Sequence, residues 1–180
     1  MPQPAIFTVG HSTRALADLL ALLAAAGVER LVDVRSVPRS RRNPQFEGDA
    51  LQRSLPGAGI AYRHAPALGG FRRARRDSRN AGWEHPSFRG YADYMEGPEF
   101  AAALEKLQRE ARAQPTCVMC AEAQWWRCHR RLIADALVVR GWRVAHLGLG
   151  AAPADHELTP FAVADGTTLS YPPAQTELGT

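Results

Sequence analysis

Residues 117–131 carry the sequence Cys117-Val-Met-Cys-Ala-Glu-Ala-Gln-Trp-Trp-Arg-Cys-His-Arg-Arg131. The apolar run at the start of this segment predicts a buried strand, and the part from Cys128 onward predicts a helix. A helix N-terminus favours negative charge, so a thiol placed there loses its proton more readily, and a nearby carboxylate or imidazole can transfer protons. The segment therefore indicates an α/β arrangement and a place where chemistry could occur.

Short apolar runs alternate with amphipathic segments along the rest of the chain, a pattern typical of a mostly parallel βα sheet. Strands are predicted at 5–10, 30–35, 59–64, 116–121 and 142–147. Helices are predicted at about 14–26, 47–55, 88–95 and 128–140, with a further helix that runs to about 113 after a break at Gly97-Pro98. Ser12 or Thr13 is expected to cap the first helix, and Asp165-Gly166 predicts a C-terminal hairpin.

These elements predict a single-domain α/β fold over residues 1–180. It has a mostly parallel sheet of about five strands, helices on both faces and a β-hairpin added at the C-terminus. A chain of 180 residues buries enough surface to fold without a disulfide or a metal ion. The Arg-rich segment 65–87 is predicted to be a long loop, and 172–180 a flexible tail.

The composition favours a cytoplasmic protein with no membrane partner. The N-terminus has no basic stretch followed by an apolar one, and no apolar run approaches the roughly 20 residues that span a membrane. The chain has three cysteines. An odd number of cysteines without an export signal indicates reduced thiols and argues against a disulfide framework.

Positive charge is concentrated in one part of the chain. Residues 30–90 hold 13 Arg against 5 acidic residues, whereas the remainder holds 9 Lys or Arg against 13 acidic residues. Arginine suits phosphate oxygens, so this segment favours a phosphate-bearing small molecule or nucleic acid as partner. A compositional bias is the alternative explanation, because Arg outnumbers Lys by 21 to 1.

Polar and titratable residues accompany the end of each of the first four predicted strands. Parallel α/β sheets bind ligands beyond the carboxyl ends of their strands, so these residues are expected to lie along one edge. They are His11 and Ser12, then Asp33 and Arg35, then His64, then Cys120 and Glu122, followed by Cys128, His129 and Arg130. The convergence of reactive residue types favours a functional site.

Cys120 and Cys128 could be small packing residues, metal ligands or a reactive thiol. Metal binding is disfavoured, because Cys117 and Cys120 lie on an apolar strand that directs them to opposite sides. No metal or other cofactor is therefore predicted. In the remaining interpretation, one of the two thiols ionises beside His129 at the helix start. A cysteine phosphatase loop that used Cys120 would need an arginine at the position of Trp126.

The other candidate residues each have a structural and a functional interpretation. Glu122 could cap free amides or act as acid or base, and His11 could pack or transfer protons. Asp33 could orient Arg35 for a ligand. The arginines of the following loop, which are Arg39, Arg41 and Arg42, could contact phosphate or could simply be solvated.

Five segments form a recognisable combination. They are Thr8-Val-Gly-His-Ser-Thr-Arg14, Leu31 to Phe46, Tyr62-Arg-His-Ala-Pro-Ala-Leu-Gly-Gly70, Phe88-Arg-Gly-Tyr-Ala-Asp-Tyr-Met95, and Met119-Cys-Ala-Glu122 with Cys128-His-Arg-Arg-Leu-Ile133. Together they resemble the bacterial and archaeal family called domain of unknown function 488, over roughly residues 5–172. The family often has Pro before its Cys-His-Arg, where this chain has Trp125-Trp126. The resemblance implies an α/β domain and no settled activity.

The sequence thus favours a small enzyme, a hydrolase or a transferase, that acts on a nucleotide, a nucleoside derivative or nucleic acid. The residues assigned to the reaction are Cys120, Glu122, Cys128, His129 and His11, and those assigned to the ligand are Ser12, Asp33, Arg35, Arg39, Arg41, His64 and Arg130. One alternative is a non-catalytic nucleic-acid-binding module that uses the Arg-rich loop 70–80. Another is a thiol redox sensor that uses Cys120 and Cys128.

Overall fold

A six-stranded sheet organises the computed structural model, which describes residues 2–175. In chain order the strands are β1 (Ala5–Gly10), β2 (Arg30–Asp33), β3 (Ala61–His64), β4 (Thr116–Cys120), β5 (Arg143–His146) and β6 (Ala154–Asp155). Their order across the sheet is β3-β2-β4-β1-β5-β6. The pairs from β3 to β5 are parallel, and only the short β6 is antiparallel to its neighbour. The predicted parallel sheet is confirmed, and β6 is an addition to it.

Helices cover both faces of the sheet, as predicted. They are α1 (Leu16–Ala25), α2 (Gly48–Ser54), α3 (Pro86–Tyr94), α4 (Pro98–Ala113) and α5 (Arg130–Val138). Leu19 of α1 and Leu51 of α2 belong to a core cluster on one face. Tyr91 of α3, Leu104 of α4 and Ile133 of α5 belong to the cluster on the other face. Each face of the sheet is therefore sealed by its own apolar layer.

The predicted cap of α1 is wrong. The residue before α1 is Ala15, and it makes no side-chain capping bond. Ser12 instead adopts a left-handed backbone, with φ of 48°, and its N–H donates to Ala121 O at 2.9 Å. The segment after β1 is thus bonded to the chain beyond β4, which delays the start of the helix until Leu16.

The last sheet helix also begins later than predicted. Residues Trp125–Arg127 form a short 3₁₀ turn, and Cys128 is extended, with φ of −133° and ψ of 155°. His129 precedes α5, which begins at Arg130. Cys128 therefore lies just before the helix and does not form part of its first turn.

The C-terminal segment forms the predicted hairpin from β7 (Val163–Asp165) and β8 (Thr168–Ser170). Tyr171 follows the hairpin, and its ring centroid lies 5.2 Å from that of Trp83 in the long loop. This contact ties the hairpin to segment 65–87, whose only helical turn before α3 is Pro66–Leu68. Of the predicted tail, 176–180 lie outside the described residues. In the part of the chain that is described, no helix has the length and apolarity to cross a membrane.

Candidate active site

A cleft of about 680 Å³ opens at the carboxyl edge of the parallel strands. Cys120 at the end of β4 and Arg35 just after β2 both line it, as do Cys128 and His129 before α5. The other residues that line it include the polar Arg39, Glu122 and Arg127 and the aromatic Phe71, Phe88, Tyr91 and Trp126. The cleft therefore combines thiol, imidazole and guanidinium groups with aromatic walls.

The two thiols that line the cleft are in contact. Cys128 Sγ lies 2.9 Å from Cys120 Sγ and 3.4 Å from Nδ1 of His129. Nε2 of His129 donates to Val34 O at 2.9 Å, so a neutral ring carries its proton on Nε2 and leaves Nδ1 free to accept one. Cys117 lies on the opposite face of β4, in the other core cluster. Strand alternation thus separates one thiol from the pair, as the sequence predicted.

This arrangement favours a thiolate on Cys128. The hydrogen bond from Cys120 holds the pKa of Cys128 well below its ordinary value, with help from His129 and the nearby Arg130. Burial and the neighbouring Cys128 raise the pKa of Cys120, so this thiol stays protonated and donates. Burial opposes charge on His129, but the hydrogen bond with Cys128, the charge of Cys128 and the bond to Val34 O together outweigh burial and raise the pKa of the ring. Both shifts favour the thiolate–imidazolium form of the pair over the neutral form.

Arg130 supports this charge distribution from beneath the site. Its side chain is fully buried, and it donates to the carbonyl oxygens of Glu122 and Ala123 and to Thr8 Oγ1. Among residues 2–175, no carboxylate lies within ion-pair distance of it. A buried cation without a paired anion favours negative charge on Cys128. Sequence reasoning assigned Arg130 to the ligand, whereas the structure places it under the cleft.

A chain of buried hydrogen bonds extends from Arg130 across the molecule. Thr8 Oγ1 lies 2.6 Å from Nδ1 of His146, and Nε2 of His146 lies 3.0 Å from Nδ1 of His156. His156 in turn contacts Asp135 Oδ1 through Nε2 at 2.7 Å. When both imidazole rings are neutral, each group donates a hydrogen bond to the next one, from the Arg130 guanidinium to the Asp135 carboxylate. No pattern in the sequence predicts this chain of hydrogen bonds.

Arg35 is held rigidly at the second strand. Its Nε and Nη2 donate to the two carboxylate oxygens of Asp33, at 2.9 and 2.6 Å, and Nη2 also donates to Phe46 O. Its Nη1 donates to Nε2 of His11 at 3.3 Å, which leaves the other Nη1 proton for a ligand in the cleft. His64 donates to Arg35 O at 2.7 Å. Asp33 and His64 therefore fix the guanidinium and its backbone.

His11 is a buried, neutral acceptor for Arg35. Its Nδ1 donates to Ser12 O at 2.9 Å, and burial lowers the pKa of the ring. Both ring nitrogens are thus engaged in holding the loop and Arg35. Of the five residues assigned to the reaction, the structure places Cys120, Glu122, Cys128 and His129 along the main cleft, whereas His11 contacts Arg35 and lines an adjoining pocket.

A second pocket of about 380 Å³ adjoins the main cleft. The two share Ala121 and Glu122, and the second is also lined by residues assigned to the ligand, Ser12 and Arg41. Glu122 is exposed and accepts from the N–H of Gln124 at 3.1 Å, which is a capping contact. Glu122 therefore lies where the two pockets meet.

The arginines of loop 70–80 are largely engaged within the protein. Arg75 and Arg79 both pair with Glu96, and Arg72 lies 3.7 Å from the centroid of the Tyr94 ring. Arg75 and Arg79 stay exposed despite these pairs, and Arg73 is exposed without an ion pair among residues 2–175. Several arginines of this loop therefore already have a partner within the protein and are less available to bind a nucleic acid.

Phe71 at the rim of the cleft is unusual in two ways. It adopts a left-handed backbone, with φ of 59°, which is rare for a bulky side chain. Its side chain is also 93% exposed, whereas large apolar residues are normally buried. Trp126, which lines the same cleft, is 41% exposed. Strained and exposed aromatic groups at a cleft are typical of ligand-binding loops.

The fold and the cleft define an α/β protein with a thiol–imidazole pair at the carboxyl edge of a parallel sheet. The model of the family described as domain of unknown function DUF488 matches residues 15–137, which is more than half of the chain. The protein therefore belongs to the DUF488 family, as the sequence resemblance predicted. No curated protein and no solved structure matches the chain.

Proposed function

We propose that this protein is a small cysteine-dependent enzyme, a hydrolase or transferase, that acts on a phosphate-bearing ligand with an aromatic ring. The ligand class is a nucleotide unit, either free or within a nucleic acid. The observation that carries the proposal is the contact of Cys128 Sγ with Cys120 and with Nδ1 of His129 inside a cleft lined by arginines.

Cys128 is the nucleophile in this proposal. Its thiolate attacks an electrophilic carbon of the ligand, a C–S bond forms, and the bond to the leaving group breaks. The leaving group takes the proton from Nδ1 of His129. Water or an acceptor alcohol then gives its own proton to Nδ1 as its oxygen bonds to the carbon, the C–S bond breaks and the thiolate is restored. Cys120 donates a hydrogen bond that stabilises the thiolate before attack.

The phosphate serves as a binding group and is not the centre attacked. A cysteine phosphatase loop carries an arginine six residues after its cysteine. In this chain the corresponding residue is Trp126 for Cys120 and Ala134 for Cys128. Arg35 and the exposed Arg39 line the cleft and supply donors for phosphate oxygens. An aromatic base or ring would pack against Phe71 or Trp126, since stacking on such side chains contributes about 1–3 kcal/mol per base.

Protection of Cys128 from alkylation tests the ligand class. Adenosine monophosphate and a short single-stranded oligonucleotide serve as the two phosphate-bearing probes, and adenosine and inorganic phosphate serve as partial ligands. We expect the phosphate-bearing aromatic probes to slow iodoacetamide labelling of Cys128 more than either partial ligand. Arg39→Gln should raise the Kd of a protecting probe by roughly tenfold, through loss of one charged contact.

The matched control is Arg73→Gln, which removes an exposed arginine that does not line the cleft. Equal effects of Arg39→Gln and Arg73→Gln would contradict a phosphate site in the cleft. Intact-mass measurement then tests catalysis, because a substrate should leave an adduct on Cys128 that Cys128→Ser lacks. A probe that protects the thiol but yields neither adduct nor product would indicate binding without the proposed reaction.

A further inference from the structure

We propose that Cys120 and Cys128 form a redox-active pair, in which peroxide oxidises Cys128 and Cys120 resolves the product as an intramolecular disulfide. The bridge would close the site reversibly. This inference shares the reactive Cys128 with the proposed function, but it does not depend on any phosphate-bearing ligand.

The separation of the two sulfurs supports the pairing. Cys128 Sγ and Cys120 Sγ are 2.9 Å apart, so a bond of about 2.05 Å needs only a small side-chain movement. Cys120 ends β4 and Cys128 lies just before α5, and the intervening loop contains only a short 3₁₀ turn. The third thiol, Cys117, is fully buried on the other face of the sheet. Cys120, and not Cys117, is therefore placed to form a bridge with Cys128.

The surroundings assign different roles to the two sulfurs. Cys128 is 9% exposed and contacts Nδ1 of His129, whereas Cys120 is 2% exposed and contacts Glu122 O. An oxidant that enters the cleft therefore reaches Cys128 beside a proton donor. The fully buried Arg130 favours its thiolate form. Cys120 is held beside it as the resolving thiol.

The reaction balances with a hydroperoxide as oxidant. The Cys128 thiolate attacks the terminal oxygen, an S–O bond forms, the O–O bond breaks, and the departing alkoxide or hydroxide takes the proton of His129. The sulfur is oxidised to sulfenic acid and the peroxide is reduced. Cys120 then gives its proton to His129 and attacks the sulfenic sulfur, and water leaves with that proton. A dithiol reductant restores both thiols by exchange.

The test is thiol mapping of the folded, full-length protein after treatment with hydrogen peroxide near stoichiometry. Alkylation under denaturing conditions should then count one thiol in place of three, and peptide mass spectrometry should find Cys120 joined to Cys128. Dithiothreitol should restore the count to three. Cys120→Ser should form no bridge and should accumulate sulfenic acid on Cys128, which dimedone traps.

Cys117→Ala is the matched control and should still form the bridge. The proposal is overturned if peroxide leaves all three wild-type thiols free, or if the bridge involves Cys117 or a second chain. The wild-type measurement decides this without any variant. Fast alkylation of Cys128 without a bridge would refute only the redox pair, whereas a bridge in a protein that binds no nucleotide probe would refute only the proposed function.

Discussion

The proposed reactivity of Cys128 depends on its neighbours, because contact with Cys120 lowers its pKa and His129 lies beside it to balance a negative charge. An ordinary thiol has a pKa near 8.5, so its thiolate fraction falls about tenfold for each pH unit below that value. The pKa of Cys128 is lowered well below its ordinary value. Its rate of alkylation by iodoacetamide should therefore fall by less than about tenfold from pH 8 to pH 6, against roughly a hundredfold for an ordinary thiol.

His129→Gln is the variant that isolates the imidazole. Glutamine can still donate a hydrogen bond but cannot hold the balancing proton, so the pH profile of Cys128 should move to higher pH. Cys117 is fully buried and provides an internal reference that should stay unlabelled in the folded protein. A wild-type profile that follows an ordinary thiol would refute the thiolate–imidazolium pair.

Residue types at the sheet edge could be predicted from the sequence, because the carboxyl ends of parallel strands define one edge. Their contacts could not. Arg130 and His64 were both assigned to the ligand, yet Arg130 donates to Glu122 O and His64 donates to Arg35 O. Backbone carbonyls have no sequence signature, so a pattern cannot show which donors are already engaged.

The junction between β1 and the loop after β4 is the element on which the site depends. Gly10 ends β1, and a Cβ atom placed there would lie 1.9 Å from Glu122 O. The same carbonyl accepts from Arg130. Gly10→Ala should therefore push this loop away, lower the free energy of unfolding by roughly 1–3 kcal/mol and slow the alkylation of Cys128. Urea unfolding and labelling kinetics measure the two effects.

Gly57→Ala is the matched control for Gly10. Its added Cβ would meet nothing within 4 Å, and its φ is not positive, so stability should change by less than about 0.5 kcal/mol. Similar losses in the two variants would show that close approach at Gly10 is not the cause. The same junction explains the error at Ser12, because bonding of its N–H to Ala121 O is a long-range contact that capping patterns do not contain.

At the scale of the whole molecule, the C-terminal segment completes the support of the site. His156 lies beyond β6, in a segment without periodicity, and still reaches Asp135 on α5. Tyr171 O–H donates to the other oxygen of Asp135 at 2.8 Å. The hairpin itself was predictable from its turn, whereas these contacts depend on how the whole chain folds back. Periodicity identifies elements but does not identify polar partners between them.

Buried His146 in this network makes the stability of the protein sensitive to acid. Burial and the neighbouring His156 lower the pKa of His146 from 6.5 to about 3. Between these values the unfolded chain binds a proton at His146 that the folded protein does not. Stability therefore falls as the pH is lowered from 6.5 towards 3, by up to about 1.4 kcal/mol per pH unit for this residue. His11, whose pKa is also lowered by burial, adds to the same trend.

His146→Asn tests this origin, since an amide can accept from Thr8 and donate to His156 but does not titrate. The measurement is the free energy of unfolding in urea at several pH values between 6.5 and 4. The variant loses the stacking of His146 on Trp125, whose ring centroids are 4.4 Å apart, so its absolute stability should fall. The test is the slope of the unfolding free energy against pH, which should become shallower in the variant. An unchanged slope of unfolding free energy against pH would mean that His146 already carries a proton in the folded protein over this pH range. A protonated His146 could not accept from Thr8 through Nδ1. The chain of donors from Arg130 to Asp135 would then be broken at that residue.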